Sequence, residues 1–220
     1  RVLFRSGPHT HDPRSDEIIN SEITWYHNHM RSYRNWLMME TGAANPSART
    51  LDIPEELMGE TMRQVITHEI GHALGLQHNM MASSSFPVDS LRSPSFTSKY
   101  GVSATIMDYA RQNYVAQPGD GLKPVDFIRR LGPFDDFAIN WGYRIIPEAK
   151  TVDAERPTLN RWLTNQTGPF PYRYVSQGIG GADPRNQTED LGDDPVKATA
   201  YGVANYKRMI PQLPAWTATA

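Results

Sequence analysis

Cysteine is missing altogether from the 220 residues. Its absence excludes disulfides and thiolate metal ligands and leaves the redox compartment undetermined. No apolar run approaches the ~20 residues that a membrane-spanning helix needs. Charge of either sign is scarce in net terms. The 22 Lys and Arg nearly cancel the 24 Asp and Glu, and a formal net charge of -2 gives no electrostatic footprint for nucleic acid or an anionic membrane. There is no internal repeat, since the Asp-Pro-Arg at 183–185 echoes that at 12–14 without surrounding similarity. What is present is ordinary for a globular chain. The 39% hydrophobic and 21% charged content suits one domain with a substantial core and argues against disorder.

The first six residues, Arg1-Val2-Leu3-Phe4-Arg5-Ser6, are what CGTGTGCTCTTCCGATCT encodes, which resembles the end of a common sequencing adapter. Residues 1–6 are therefore expected to be read-through, with the native segment beginning near Gly7. The rival reading is a genuine strand, because Val-Leu-Phe is a plausible strand core. If they are read-through, the lack of an export signal at this start carries no meaning.

The centre of the chain is His68-Glu69-Ile70-Gly71-His72-Ala73-Leu74-Gly75-Leu76-Gln77-His78. On a helix His68 and His72 lie one turn apart, roughly 40° around the axis, so both imidazoles leave the same face. Two nitrogens can then reach one metal at about 2.0–2.1 Å. Glu69 is rotated away from them, which suits a base acting on water rather than a ligand. Gly75 allows a sharp turn off the helix through positive φ, and the turn brings His78 back as a third ligand. Three histidines leave a fourth position open, the pattern of a catalytic zinc. A core helix carrying three histidines for no joint purpose would meet this spacing by chance about once in ten thousand chains, so the metal reading is preferred.

At these residues the chain resembles the metzincin clan of zinc metallopeptidases. Ser103-Ala104-Thr105-Ile106-Met107-Asp108-Tyr109 is similar to the clan's Met-turn, with Met107 as the methionine beneath the metal. Tyr109 matches the tyrosine that astacin-like and serralysin-like members place beside it. One departure is Asn79, where many metzincins carry an acidic residue, and this leaves the subfamily open. Leu74 to Asn79, Met107 to Tyr114, Trp141-Gly142-Tyr143 and Glu189 to Asp194 resemble large bacterial zinc-dependent metalloproteases, often exported and many hundreds of residues long.

The resemblance implies an α+β fold: a mixed sheet with a cleft-side edge strand, a long active-site helix, a Met-turn and an irregular C-terminal subdomain. Residues 7–220 would be a catalytic domain incomplete at both ends, with 7–78 closing its upper part and 79–220 forming its lower part. It implies one catalytic Zn2+, a peptide or protein substrate, and export to the periplasm, outer membrane or medium. Glu69 would be the general base. Tyr109 would either hydrogen-bond the oxyanion or sit on zinc at rest and swing away. Two alternatives stay open: an inactive zinc-binding module that captures peptides or scaffolds a partner, and hydrolysis of a non-peptide amide. The carboxylate at Glu69 favours an enzyme, because a purely structural site has no need of it.

Along the chain, residues 11–17 read as a turn. Residues 17–26 mix β-formers with polar residues, and the resemblance assigns them to the edge strand. His27 and His29 could share a face, but no third ligand has the right spacing, so they read as exposed histidines. A helix is expected to about Glu40, from Met30, Tyr33, Leu37 and Met38 near a 3.6 period. The long helix should start at Pro54 and stop at Gly75. Leu57, Met58, Met62, Val65, Ile66, Ile70, Ala73 and Leu74 would form its core stripe. Irregular structure is expected to about Ala104, then a helix over 133–143 whose aromatics pack in the core. Beyond Pro147 little periodicity remains until a short helix over 201–210. Asp183, Glu189, Asp190, Asp193 and Asp194 form an acidic loop that matches no EF-hand spacing, so a solvated turn is preferred to a calcium site. Asn165-Gln166-Thr167 and Asn186-Gln187-Thr188 fit the glycosylation pattern, with little weight in a bacterial protein.

Overall fold

The computed structural model of the chain describes residues 9–15, 17–166, 171–175 and 183–218. Residues 1–6, read as adapter sequence, lie outside these.

The chain opens on a hairpin, β1 (His9–His11) against β2 (Ile18–Ser21), antiparallel with an irregularity between Thr10 and His11. Among the described residues this pair is the whole sheet, rather than the mixed sheet the resemblance implied. The strand is also shorter than 17–26. Residues 22–26 have the residue types of a strand but no partner ladder, and Trp25 stacks instead on Tyr33, with ring centroids 6.1 Å apart. Among the described residues β2 has one strand neighbour, β1.

Two helices follow, α1 (His29–Thr41) and α2 (Glu55–Ala73). Leu37, Ile53 and Leu57 pack between them together with Ile128. Pro54 precedes α2 and Glu55 and Glu56 occupy its first turn, where the positive end of the helix favours carboxylates. The expected apolar stripe of α2 is only partly buried. Leu57 and Val65 are enclosed, but Ile70 and Leu74 are 44% and 40% exposed, while Thr61, Gln64, His68 and Glu69 are buried. The helix turns a polar stripe inward because its partners there are polar loops rather than an apolar layer.

Those loops carry the larger core. Residues 79–92 run through two 3₁₀ turns, Ser83–Ser85 and Ser90–Arg92, into α3 (Pro94–Tyr100). Ala82, Phe86, Val88, Leu91, Val102 and Val115 form a cluster closed by Leu191 and Ala198. The run is irregular as expected, α3 apart, yet it is enclosed. Its serines are satisfied locally, with Ser84 and Ser85 Oγ both donating to the Met81 carbonyl (2.9 and 3.1 Å).

Four more helices complete the description: α4 (Pro133–Tyr143), α5 (Val152–Gln166), α6 (Pro195–Met209) and α7 (Leu213–Thr217). The aromatics of α4 do not enter a core as expected, since Trp141 and Tyr143 are 38% and 51% exposed. The helix α5 was not legible from periodicity. None of its residues is buried, and Pro157 interrupts its backbone donors. α6 begins six residues earlier than expected, because Asp194 caps it by accepting from Lys197 N and Pro195 sits in its first turn.

The acidic loop is largely solvated, with Glu189, Asp193 and Asp194 exposed and Asp183 and Asp190 half-buried. Asp190 accepts from Ser83 Oγ (2.7 Å), Asp193 from Val88 N (3.1 Å), and Asp183 pairs with Arg185 (2.7 Å). Asp190 and Asp193 tie the loop to residues 83–88, Asp183 closes its own turn, and among the described residues these carboxylates form no group of three that converges on one point. Among the described residues no helix is long and apolar enough to cross a membrane.

Asp135 joins the two halves of the lower region. Its carboxylate accepts from Gly132 N (2.8 Å), Ile106 N (2.9 Å) and the Thr105 hydroxyl, so the start of α4 is pinned to the loop at 105–107. Asp135→Ala leaves two buried N–H groups unpaired, each costing about 1–3 kcal/mol. Urea unfolding of the metal-free protein is expected to show a loss of about 2–5 kcal/mol, and a loss below about 0.5 kcal/mol would mean the loop does not depend on this residue.

Candidate metal centre

The helix α2 carries His68, Glu69 and His72 into the interior. His68 Nδ1 lies 2.7 Å from the Ile106 carbonyl and His72 Nδ1 lies 2.8 Å from the Leu76 carbonyl. A carbonyl only accepts, so both Nδ1 atoms carry the proton and both Nε2 atoms present a lone pair. Gly75 adopts φ +84° just past the helix, and Leu76 N donates back to the Gly71 carbonyl (2.9 Å). The turn delivers His78, whose Nε2 stands 2.9 Å from His72 Nε2 and 3.2 Å from His68 Nε2.

The three ligating atoms lie within 4.8 Å of one another, and no other such cluster of His, Cys, Asp or Glu occurs among the described residues. His27 and His29 belong to none. Four tetrahedral ligands at about 2.0–2.1 Å from an ion stand about 3.3 Å apart, close to the two separations found here. With its proton on Nδ1, His78 would add a third lone pair to this point, and a cation would offset their repulsion; with its proton on Nε2, it would donate to His72 instead. Burial holds His68 far below the ordinary imidazole range, at about 2, so it stays neutral as a ligand must. The residues fit a three-histidine metal ion.

The floor is the turn at Ile106 and Met107. Met107 is buried, and a Cβ placed on Gly71 would fall 2.3 Å from its Sδ. The same turn supplies the Ile106 carbonyl to His68, and the Met107 carbonyl accepts from Asn79 N (3.3 Å). Glu69 is 4% exposed and is outside the ligand cluster. The Tyr109 ring lies 4.4 Å from that of His78 and 5.5 Å from that of His68, centroid to centroid.

A family model described as Met-zincin matches residues 50–220. The chain belongs to the Met-zincin family. No curated protein and no solved structure matched it.

For a Met-zincin, the unexpected residue Asn79 has a structural reason. Its buried carboxamide donates to the Arg173 carbonyl (2.9 Å) and accepts from Val175 N (3.2 Å). A carboxylate accepts only and could not make the first bond. Around the site lie buried polar groups whose partners are remote in sequence. Glu40 accepts from Gln112 N (2.9 Å) and pairs with Arg111 (3.3 Å), and Gln112 Nε2 reaches Gln64 Oε1 (2.9 Å). Burial pushes the Glu40 carboxyl up to about 7 against the pull of Arg111, and burial does the same to Asp108, which accepts from Ser83 N (2.7 Å).

A cleft of about 1300 Å³ opens beside the turn at 74–77. Met107 belongs both to its wall and to the floor of the cluster, and Phe134, Phe137, Trp141 and Tyr174 make its sides apolar. Ile18 of β2 stands on its rim, and Tyr143 OH donates to the Leu74 carbonyl (2.8 Å). The aromatics of α4 thus line a cleft, which explains their exposure.

Gly71 was missed in the sequence, although a glycine inside a helix already signals a packing reason. Gly71→Ala is expected to destabilise the metal-free Met-zincin by about 1–3 kcal/mol through contact with Met107, against the gain of up to ~1 kcal/mol the change brings in an open helix. Urea unfolding reads the sign directly, and a net gain would mean Met107 is free to move aside.

Proposed function

We propose that the chain is the catalytic domain of a zinc-dependent metalloendopeptidase, in which His68, His72 and His78 hold Zn2+ and Glu69 is the general base. The observation that carries this reading is a buried carboxylate on the same helix as two histidines of the cluster but outside it. A zinc ion held by three histidines supplies an acidified water and a polarised carbonyl.

Glu69 takes a proton from the attacking water as its oxygen bonds to the scissile carbon. The carboxylic acid so formed returns the proton to the leaving nitrogen as the C–N bond breaks. The Tyr109 hydroxyl donates to the oxygen that becomes negative in between. Met107, in a turn read here as the Met-turn, shapes the floor without reacting, and Gly75 sets the angle at which His78 returns. Ile18 of β2 lines the cleft, so an extended peptide would lie alongside that strand with its apolar side chains in the aromatic cleft. This reading makes the domain part of an exported bacterial protease, as the family resemblance implies. A module that only captures peptides would use the same histidines and cleft, but would give Glu69 no task.

Glu69→Gln separates the two. It preserves size and helix propensity and removes only the capacity to accept a proton. Zinc content is expected to stay near one per chain, with unfolding midpoint unchanged, while turnover of a mixed-peptide digest read by mass spectrometry falls by roughly 10²–10⁴. Loss of metal along with activity would make Glu69 a ligand. Retained metal with parental turnover would mean that another group activates the water.

A further inference from the structure

Tyr109 sits on a stretch, residues 108–113, that is neither helix nor strand. The stretch is tied to distant parts of the chain beside the place where the Tyr109 ring meets His78. Two of these ties come from one residue of the acidic loop. The backbone N–H of Glu189 donates to the Tyr109 carbonyl (3.0 Å), and its carboxylate pairs with Arg111 (2.8 Å) two residues further on. Arg111 is gripped from the other side by buried Glu40 (3.3 Å) and lies over the Trp36 ring at 5.0 Å. The segment is thus clamped between α1 and the loop, with Arg111 as the pin.

Glu189 itself has φ 68°, and among the described residues it is the one non-glycine with positive φ. A glutamate in this region gives up about 1 kcal/mol, which the surrounding contacts must offset. The conformation aims its N–H at Tyr109 while its side chain returns to Arg111. We infer that Glu189 is a positioning residue for Tyr109, holding the tyrosine ring against His78 through the paired grip on residues 109 and 111. The inference rests on the reading of Tyr109 as the donor to the oxyanion.

Global stability offers little reason for the arrangement. The Glu189 side chain is 60% exposed, and ion pairs of that kind contribute little to folding. Position is another matter, since a displacement of about 1 Å near reacting atoms can lower a rate about 100-fold. A merely structural glutamate and a positioning one therefore differ in what their loss changes.

Glu189→Asn is the test. Asparagine tolerates positive φ and keeps the N–H, but it is uncharged and too short to reach Arg111. In the zinc-loaded protein, metal content and urea midpoint are expected to hold, and kcat to fall about 10-fold with KM within about 2-fold of the parent. In a Tyr109→Phe background, itself slower by about 10²–10³, the same change is expected to have no further effect. In the metal-free protein, hydrogen exchange at the amides of position 189 and Gln112 is expected to speed up about 10-fold while α2 stays protected. An equal fold-loss of kcat in both backgrounds would overturn the inference, as would unchanged exchange at these amides. If Tyr109→Phe alone leaves kcat unaltered, it is the reading of Tyr109 that fails. The exchange measurement then still reports whether Glu189 holds the segment.

Discussion

An imidazole that offers one nitrogen to a metal keeps its proton on the other, and an acceptor for that N–H fixes both tautomer and ring orientation; two of the three histidines here have one. Leu76 supplies it for His72 from within the same turn, because the chain leaving α2 folds back over the ring. For His68 the acceptor is Ile106, 38 residues away, on a turn with no regular secondary structure to hold it. That turn is fixed by Asp135 from the start of α4, by Thr105 accepting from Met107 N (3.0 Å), and by the close seat of Met107 against Gly71. These ties, rather than local periodicity, set where the Ile106 carbonyl stands.

The inward polar stripe of α2 follows from the same constraint. A helix that must present two histidines and a glutamate to an enclosed site cannot also bury leucine there. Gln64 continues the stripe by accepting from Gln112, and Thr61 bonds the Met58 carbonyl of its own helix (2.7 Å). Burial raises the Glu40 and Asp108 carboxyls, opposed at Glu40 by Arg111, and both accept backbone N–H groups beside the centre.

What could be read from the sequence was what local geometry fixes. His68, His72, Gly75 and His78 are set by helix pitch and one turn, so spacing alone predicted the three nitrogens that the fold brings within 4.8 Å of one another. The limits of α1, α2 and α4 followed from apolar period, proline and glycine. Elsewhere the deciding partner lay far along the chain. Residues 22–26 have strand chemistry, but Trp25 found Tyr33 before it found a second strand. The serines at 83–85 look like a surface loop until Met81 and Asp190 are seen to satisfy them. Helix α5 holds Leu159, Trp162 and Leu163 on one face, but buries no residue and carries Pro157, so its short apolar stripe did not read as a helix. Asp194 with Pro195 was a legible helix start, masked by the acidic residues around it.

The separation of partners along the chain also sets the order in which the centre can come into being. The three histidines fall within eleven residues and can meet as soon as α2 has formed. Their surroundings cannot. Asn79 waits for Arg173, 94 residues later, and Ser83 for Asp190, 107 residues later. During synthesis, a chain with its metal ligands already complete would still lack the loop that grips Tyr109 and the segment that Asn79 holds. The ligands are thus local in sequence, while the groups that enclose them are drawn from almost the whole described chain.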